Sequence, residues 1–66
     1  MFHADDKVLI KSCEDDPRAT GLTGVIVDEV PPGPLTGGRW TVHRVSWMIG
    51  PLLCHDHELQ LLTKSA

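Results

Sequence analysis

The sequence predicts an all-β domain, a small and partly open barrel of five short strands. Proline or glycine interrupts the chain at 17, 21, 24, 31–34, 37, 38, 50 and 51, leaving few windows long enough for a stable helix. Between these breaks lie short runs rich in Val, Ile, Leu, Thr and Trp, which is strand composition. Length adds a third limit. The 66 residues close one core, so the domain spans 1–66, with order expected over about 4–63. A chain this short buries only about 60% of its unfolded surface, which leaves a thin stability margin. Domains of this size often add a disulfide, a metal or a partner subunit.

The first strand is expected near 6–11, where Val8 and Ile10 share one face and Lys7, Leu9 and Lys11 the other. A polar loop follows from Ser12 to Thr23, holding Glu14, Asp15, Asp16, Pro17 and Gly21. The second strand, near 24–30, is apolar on both faces at its start, as in a central strand or one wrapping a curved sheet. Pro31-Pro32-Gly33-Pro34-Leu35-Thr36-Gly37-Gly38 then makes a connection longer than a tight turn, projecting from the sheet because prolines supply no ladder donors.

In the third strand, near 39–47, Trp40 and Val42 share one face while Val45 and Trp47 share the opposite one. A bulge near His43-Arg44 would turn all four inward; otherwise Trp47 stays exposed or under a loop. After a turn at Met48-Ile49-Gly50-Pro51, the fourth strand is expected at 52–55. A 3₁₀ turn at Asp56-His57-Glu58 and a fifth strand at 59–62 complete the chain. The expected core is Val8, Ile10, Val25, Val27, Trp40, Val42, Leu59 and Leu61.

Five short strands, a long first loop, a long hairpin and a 3₁₀ turn before the last strand resemble an SH3-like barrel across residues 5–62. The sharpest part is Asp6-Lys7-Val8-Leu9-Ile10 followed by Gly21-Leu22-Thr23-Gly24-Val25-Ile26-Val27. It looks like the KOW-type subset, in which a glycine-punctuated loop re-enters a Gly-x-x-Gly-x-Val strand. Both glycines would permit the positive φ of a sharp re-entry. The KOW resemblance implies RNA or ribosome contacts through basic loops, whereas this loop reads Glu14-Asp15-Asp16-Pro17-Arg18. Similar barrels also serve as accessory subunits docked on larger photosynthetic and redox complexes. An OB-fold is the alternative, but its usual helix has no room here.

Nine acidic residues against six basic ones give a formal charge of −3, and the basic residues are scattered singly. That pattern disfavours nucleic acid, because phosphate binding needs clustered Lys and Arg. No apolar run reaches the 18 or so residues of a membrane helix, and the N-terminal residues lack the basic start and apolar stretch of a signal peptide. A cytoplasmic location is expected. In that compartment Cys13 and Cys54 are expected to be free thiols.

Cys54-His55-Asp56-His57 is the one cluster that suggests metal chemistry, since His55 and His57 would share a face of an extended segment. Cys54 would then point the other way, and no Cys-x-x-Cys pair accompanies it. The expectation is therefore no metal and no cofactor; the candidates for a zinc site would be Cys54, His55 and His57, with Cys13 or His3 arriving from elsewhere. Catalysis needs a base, an orienting group, an oxyanion site and a pocket, and no such set is assembled here, so no enzymatic activity is expected.

The remaining reading is a binding module docked on a protein partner, with an RNA-binding domain as the alternative. The expected contact residues are Glu14, Asp15, Asp16, Arg18, Leu35, Arg44 and Trp47. Trp40 is expected in the core and Trp47, near a turn, at the surface, where it can anchor a contact. The acidic loop would steer association with a basic partner. The proline loop would offer a polyproline II stretch.

Overall fold

A computed structural model describes residues 2–28 and 32–65. Five strands, β1 (Lys7–Ile10), β2 (Thr23–Ile26), β3 (Trp40–His43), β4 (Leu52–Cys54) and β5 (Leu59–Thr63), form one antiparallel sheet in the order β4-β3-β2-β1-β5. The sheet is not closed, since β4 and β5 are its two ends. It curls into a partly open barrel, and the helical segments among the described residues are three-residue 3₁₀ turns at Pro17–Ala19, Pro34–Thr36 and Asp56–Glu58. The last of these carries the chain from β4 to β5, which pairs with β1 in the register Leu9↔Gln60 and Ile10↔Leu59.

The period-two pattern sets the interior. Val8 and Ile10 of β1, Trp40 and Val42 of β3, Leu52 and Cys54 of β4 and Leu59 of β5 are all buried, joined by Ala19 and Cys13 from the β1–β2 loop. Trp40 packs edge-on against Phe2, with ring centroids 5.4 Å apart, and its Nε1–H donates to Asp56 at 3.1 Å. The bond satisfies the one polar atom that burying an indole leaves over.

β2 faces the other way from the sequence expectation. Its interior residues are Gly24 and Ile26, whereas Val25 is half-buried and Val27 exposed. A run of Gly-Val-Ile-Val is apolar in either phase, so packing decides. A Cβ on residue 24 would lie 2.5 Å from Val42 Cγ1 and 2.9 Å from Val45 Cγ2, so β2 and β3 close on each other only because that position is glycine. Gly21 has the positive φ expected of it, +86°, but Gly24 does not; its part is close approach. Leu61 is half-buried, at the end where β5 shifts register against Lys7 and Val8. Glu29 and Val30 of the expected second strand lie outside the described residues.

β3 stops at His43 because Arg44 adopts φ +57°, a left-handed conformation that breaks the ladder. The kink turns Val45 back against the core, as a bulge would, but Trp47 stays outside.

Two buried carboxylates fasten the open parts of the barrel. Asp6 accepts the backbone N–H of His3 at 2.9 Å and of Ser65 at 2.7 Å, holding both chain ends to the start of β1. Glu58 accepts from His55 at 2.7 Å and Glu14 at 2.9 Å, joining the last 3₁₀ turn to the first loop.

Candidate docking surface

The connection from β3 to β4 ends in a tight turn at Ser46–Ile49. The Ile49 N–H donates to the Ser46 carbonyl at 3.1 Å, and the Met48 N–H donates to Ser46 Oγ at 3.2 Å. Val45 and Ile49, on either side of the apex, pack against the core. Between these anchored flanks Trp47 is 94% exposed and Met48 65%. The backbone is held while the two largest apolar side chains of the turn stand in water.

Sheet topology adds two residues to this end. β2 runs antiparallel to β3, with Val25 opposite His43, so the chain entering β2 and the chain leaving β3 meet at the same end of the sheet. Leu22, partly exposed, and Arg44, exposed, therefore join Trp47 and Met48 there. Met48 and Leu22 were not expected as contact residues. Being beside Trp47 in sequence was the available signal for Met48, while Leu22 needed the strand pairing.

Leu35 lies elsewhere. It is fully exposed on the Pro34–Thr36 turn, ahead of β3, whereas Trp47 follows β3, so the two flank opposite ends of that strand. Its loop is tied by Gly38 N–H to Gly33 O at 3.1 Å and by Arg39 Nε–H to Thr36 O at 2.9 Å. Pro34 opens a 3₁₀ turn there and does not continue an extended polyproline segment; Pro31 lies outside the described residues.

Two acids of the first loop, Asp15 and Asp16, are engaged in the fold. Asp15 accepts the Leu53 N–H at 3.1 Å, covering the outer edge of β4. Asp16 takes a two-point contact from the Arg18 guanidinium at 3.0 and 2.8 Å and also accepts the Arg18 N–H at 3.1 Å, capping the 3₁₀ turn. That guanidinium holds the Asp16 carboxyl below its ordinary range and is itself held more firmly protonated. Glu14 presents an exposed carboxylate 3.9 Å from His55 Nε2.

His55 and His57 stack with nearly parallel rings, centroids 5.3 Å apart, while Cys54 points into the core toward Cys13. Among the described residues no three His, Cys, Asp or Glu side chains are placed to hold a metal ion. No helix among them is long and apolar enough to cross a membrane. No protein-family model matches the chain, and neither a curated protein nor a solved structure matches it.

Proposed function

We propose that this domain is a non-catalytic docking module that engages a protein partner through the Trp47 end of the sheet, as an accessory subunit of a larger complex. The observation that carries the reading is Trp47 itself, 94% exposed at the apex of a hydrogen-bonded turn whose flanks pack on the core. An indole held in water by a pinned backbone contributes a large apolar face and one N–H donor at little ordering cost on binding. Met48 beside it supplies an adaptable apolar contact, and Arg44 a charged flank.

A four-strand meander, β1 to β4, with a long first loop and a 3₁₀ turn that returns β5 to the free side of β1 supports the SH3-like reading of the fold. The RNA-binding alternative has less support, because Asp15 and Asp16 occupy the first loop where phosphates would need cations.

The test is capture of a partner with the whole chain as bait, followed by titration of the labelled chain in an NMR experiment. Shifts centred on Leu22, Arg44, Trp47 and Met48, abolished in Trp47→Ala, are the expected result. Shifts confined to the opposite end of the sheet, or tight salt-sensitive RNA binding with no protein partner, would overturn it.

A further inference from the structure

The sulfurs of Cys13 and Cys54 lie 3.6 Å apart inside the core. They reach it from the β1–β2 loop and from the end of β4, 41 positions apart in sequence. We infer that these two thiols are a reversible oxidation site, converted to an intramolecular disulfide by exchange with a small-molecule disulfide such as oxidised glutathione.

Three contacts hold the sulfurs where the bond would form. The Asp16 N–H donates to Cys13 Sγ at 3.3 Å, the Cys13 thiol donates to the Leu53 carbonyl at 3.8 Å, and the Cys54 thiol donates to Cys13 Sγ. The contact is sulfur to sulfur, with no side chain between. Both groups are buried, so the reagent enters when the loop that carries Cys13 lifts from β4.

Cys13 leads, since it lies on that loop while Cys54 is fixed in a strand. Its thiol loses a proton to water, and the sulfur attacks one sulfur of the reagent, releasing one glutathione thiol and leaving a mixed disulfide. Burial, the Cys13 contact and the Glu58 and Asp15 carboxylates push the Cys54 thiol up in the closed fold, so it gives its proton to water while the loop is lifted. Its sulfur then attacks Cys13 Sγ, the bond from Cys13 to glutathione breaks, and the departing thiolate takes up a proton and leaves as the second glutathione thiol. Two protein thiols are oxidised and one disulfide is reduced to two thiols, so atoms and electrons balance. The product fastens the loop over the outer edge of β4, which the Asp15–Leu53 and Cys13–Leu53 hydrogen bonds hold in the reduced chain.

The experiment equilibrates the folded chain with oxidised glutathione, then reads intact mass, free thiols and melting temperature. The expected product is monomeric, lighter by the two hydrogens lost, free of reactive thiol and mapped by peptides to Cys13–Cys54. Closing a loop of this length should raise the melting temperature by roughly 10–20 °C, and dithiothreitol should reverse it. In Cys54→Ala the reaction should stop at a single glutathione adduct with no such rise. Retention of two free thiols at equilibrium, a stable glutathione adduct or covalent dimer of the unmutated chain, or an oxidised form that melts no higher than the reduced one would each overturn the inference. None of these readouts involves a binding partner.

Discussion

The carboxylate of Asp6 accepts the backbone N–H of Ser65, 59 positions away in sequence, at 2.7 Å. A second bond, from His3 N–H, engages the other oxygen, so one buried side chain at the head of β1 holds residues from both ends of the chain. Burial pulls the Asp6 acid upward, but these hydrogen bonds outweigh it and leave the group below its ordinary value of 3.8. Glu58 follows the same pattern: burial is outweighed by the His55 and Glu14 amides, and its acid falls below 4.5.

The sign of the pH dependence follows. A carboxyl whose acidity is strengthened by folding contributes stability that is present above its unfolded value and lost as pH falls through the folded one. Urea midpoints should therefore hold at neutral pH and decline below about pH 4 to 5, the range of the unfolded carboxyls. Asp6→Asn and Glu58→Gln should each cost about 1–3 kcal/mol at pH 7, and the gap from the unmutated chain should narrow in acid. A gap that widened in acid would mean that these carboxyls are not the groups whose protonation drives the loss.

Gly24→Ala tests the contact between β2 and β3. The added methyl would meet Val42, Val45 and the His43 carbonyl, 3.1 Å away, so the strands must separate at a cost of about 1–3 kcal/mol. Val42→Ala alone should also destabilise, by leaving a cavity. Together the two should cost less than their sum, because the space vacated by Val42 admits the new methyl. Simple additivity in a double-mutant cycle would show that residue 24 does not face Val42.

These residues also mark how much of the molecule was legible in its sequence. The strand count, the sites of Trp40 and Val42 and the 3₁₀ turn at Asp56–Glu58 follow from alternation and punctuation, which act locally. The phase of β2 was not legible, since a glycine inside an apolar run carries no side chain to reveal the face it occupies, and only Val42 and Val45 across the sheet decide it. In β3 the facing of Trp40, Val42 and Val45 pointed to a break near His43-Arg44, but not to its form, a strand that ends on a left-handed Arg44, a conformation that arginine seldom adopts. At the candidate surface, Trp47 was visible through its place beside a turn. The structural tasks of Asp15 and Asp16 were not, because their partners, Leu53 N–H and the Arg18 guanidinium, depend on how the first loop folds back.

The two tryptophans should separate cleanly in fluorescence. Trp40 is 3% exposed and Trp47 94%, so Trp40→Phe should leave a red-shifted emission readily quenched by acrylamide, and Trp47→Phe a blue-shifted, shielded one. Trp47→Ala should change stability by no more than about 0.5 kcal/mol, as at other exposed positions. Trp40→Ala should cost about 3–5 kcal/mol, enough to unfold much of a domain this small. Unfolding of Trp47→Ala would place its ring in the core and remove the proposed anchor.

Asp15 distinguishes a structural acid from a steering one. Its carboxylate accepts the Leu53 N–H on the outer edge of β4, so replacement by Lys removes that acceptor along with the charge. Asp15→Lys should therefore lose about 1–2 kcal/mol of stability whether or not any partner is present. Asp15→Asn keeps a side-chain oxygen for the amide and removes only the charge, and it should fold nearly as well as the unmutated chain. If the acidic loop also steers a basic partner, Asn at this position should lower the association rate at low salt, leave dissociation unchanged and lose its effect as salt rises. Glu14, exposed and free of the β4 edge, is the matched control: Glu14→Gln should slow association without any stability cost. Stopped-flow association measured for both variants across a salt series decides the matter. Rates equal to those of the unmutated chain at every ionic strength would restrict Asp15 to covering the edge of β4 and leave recognition to the Trp47 end alone.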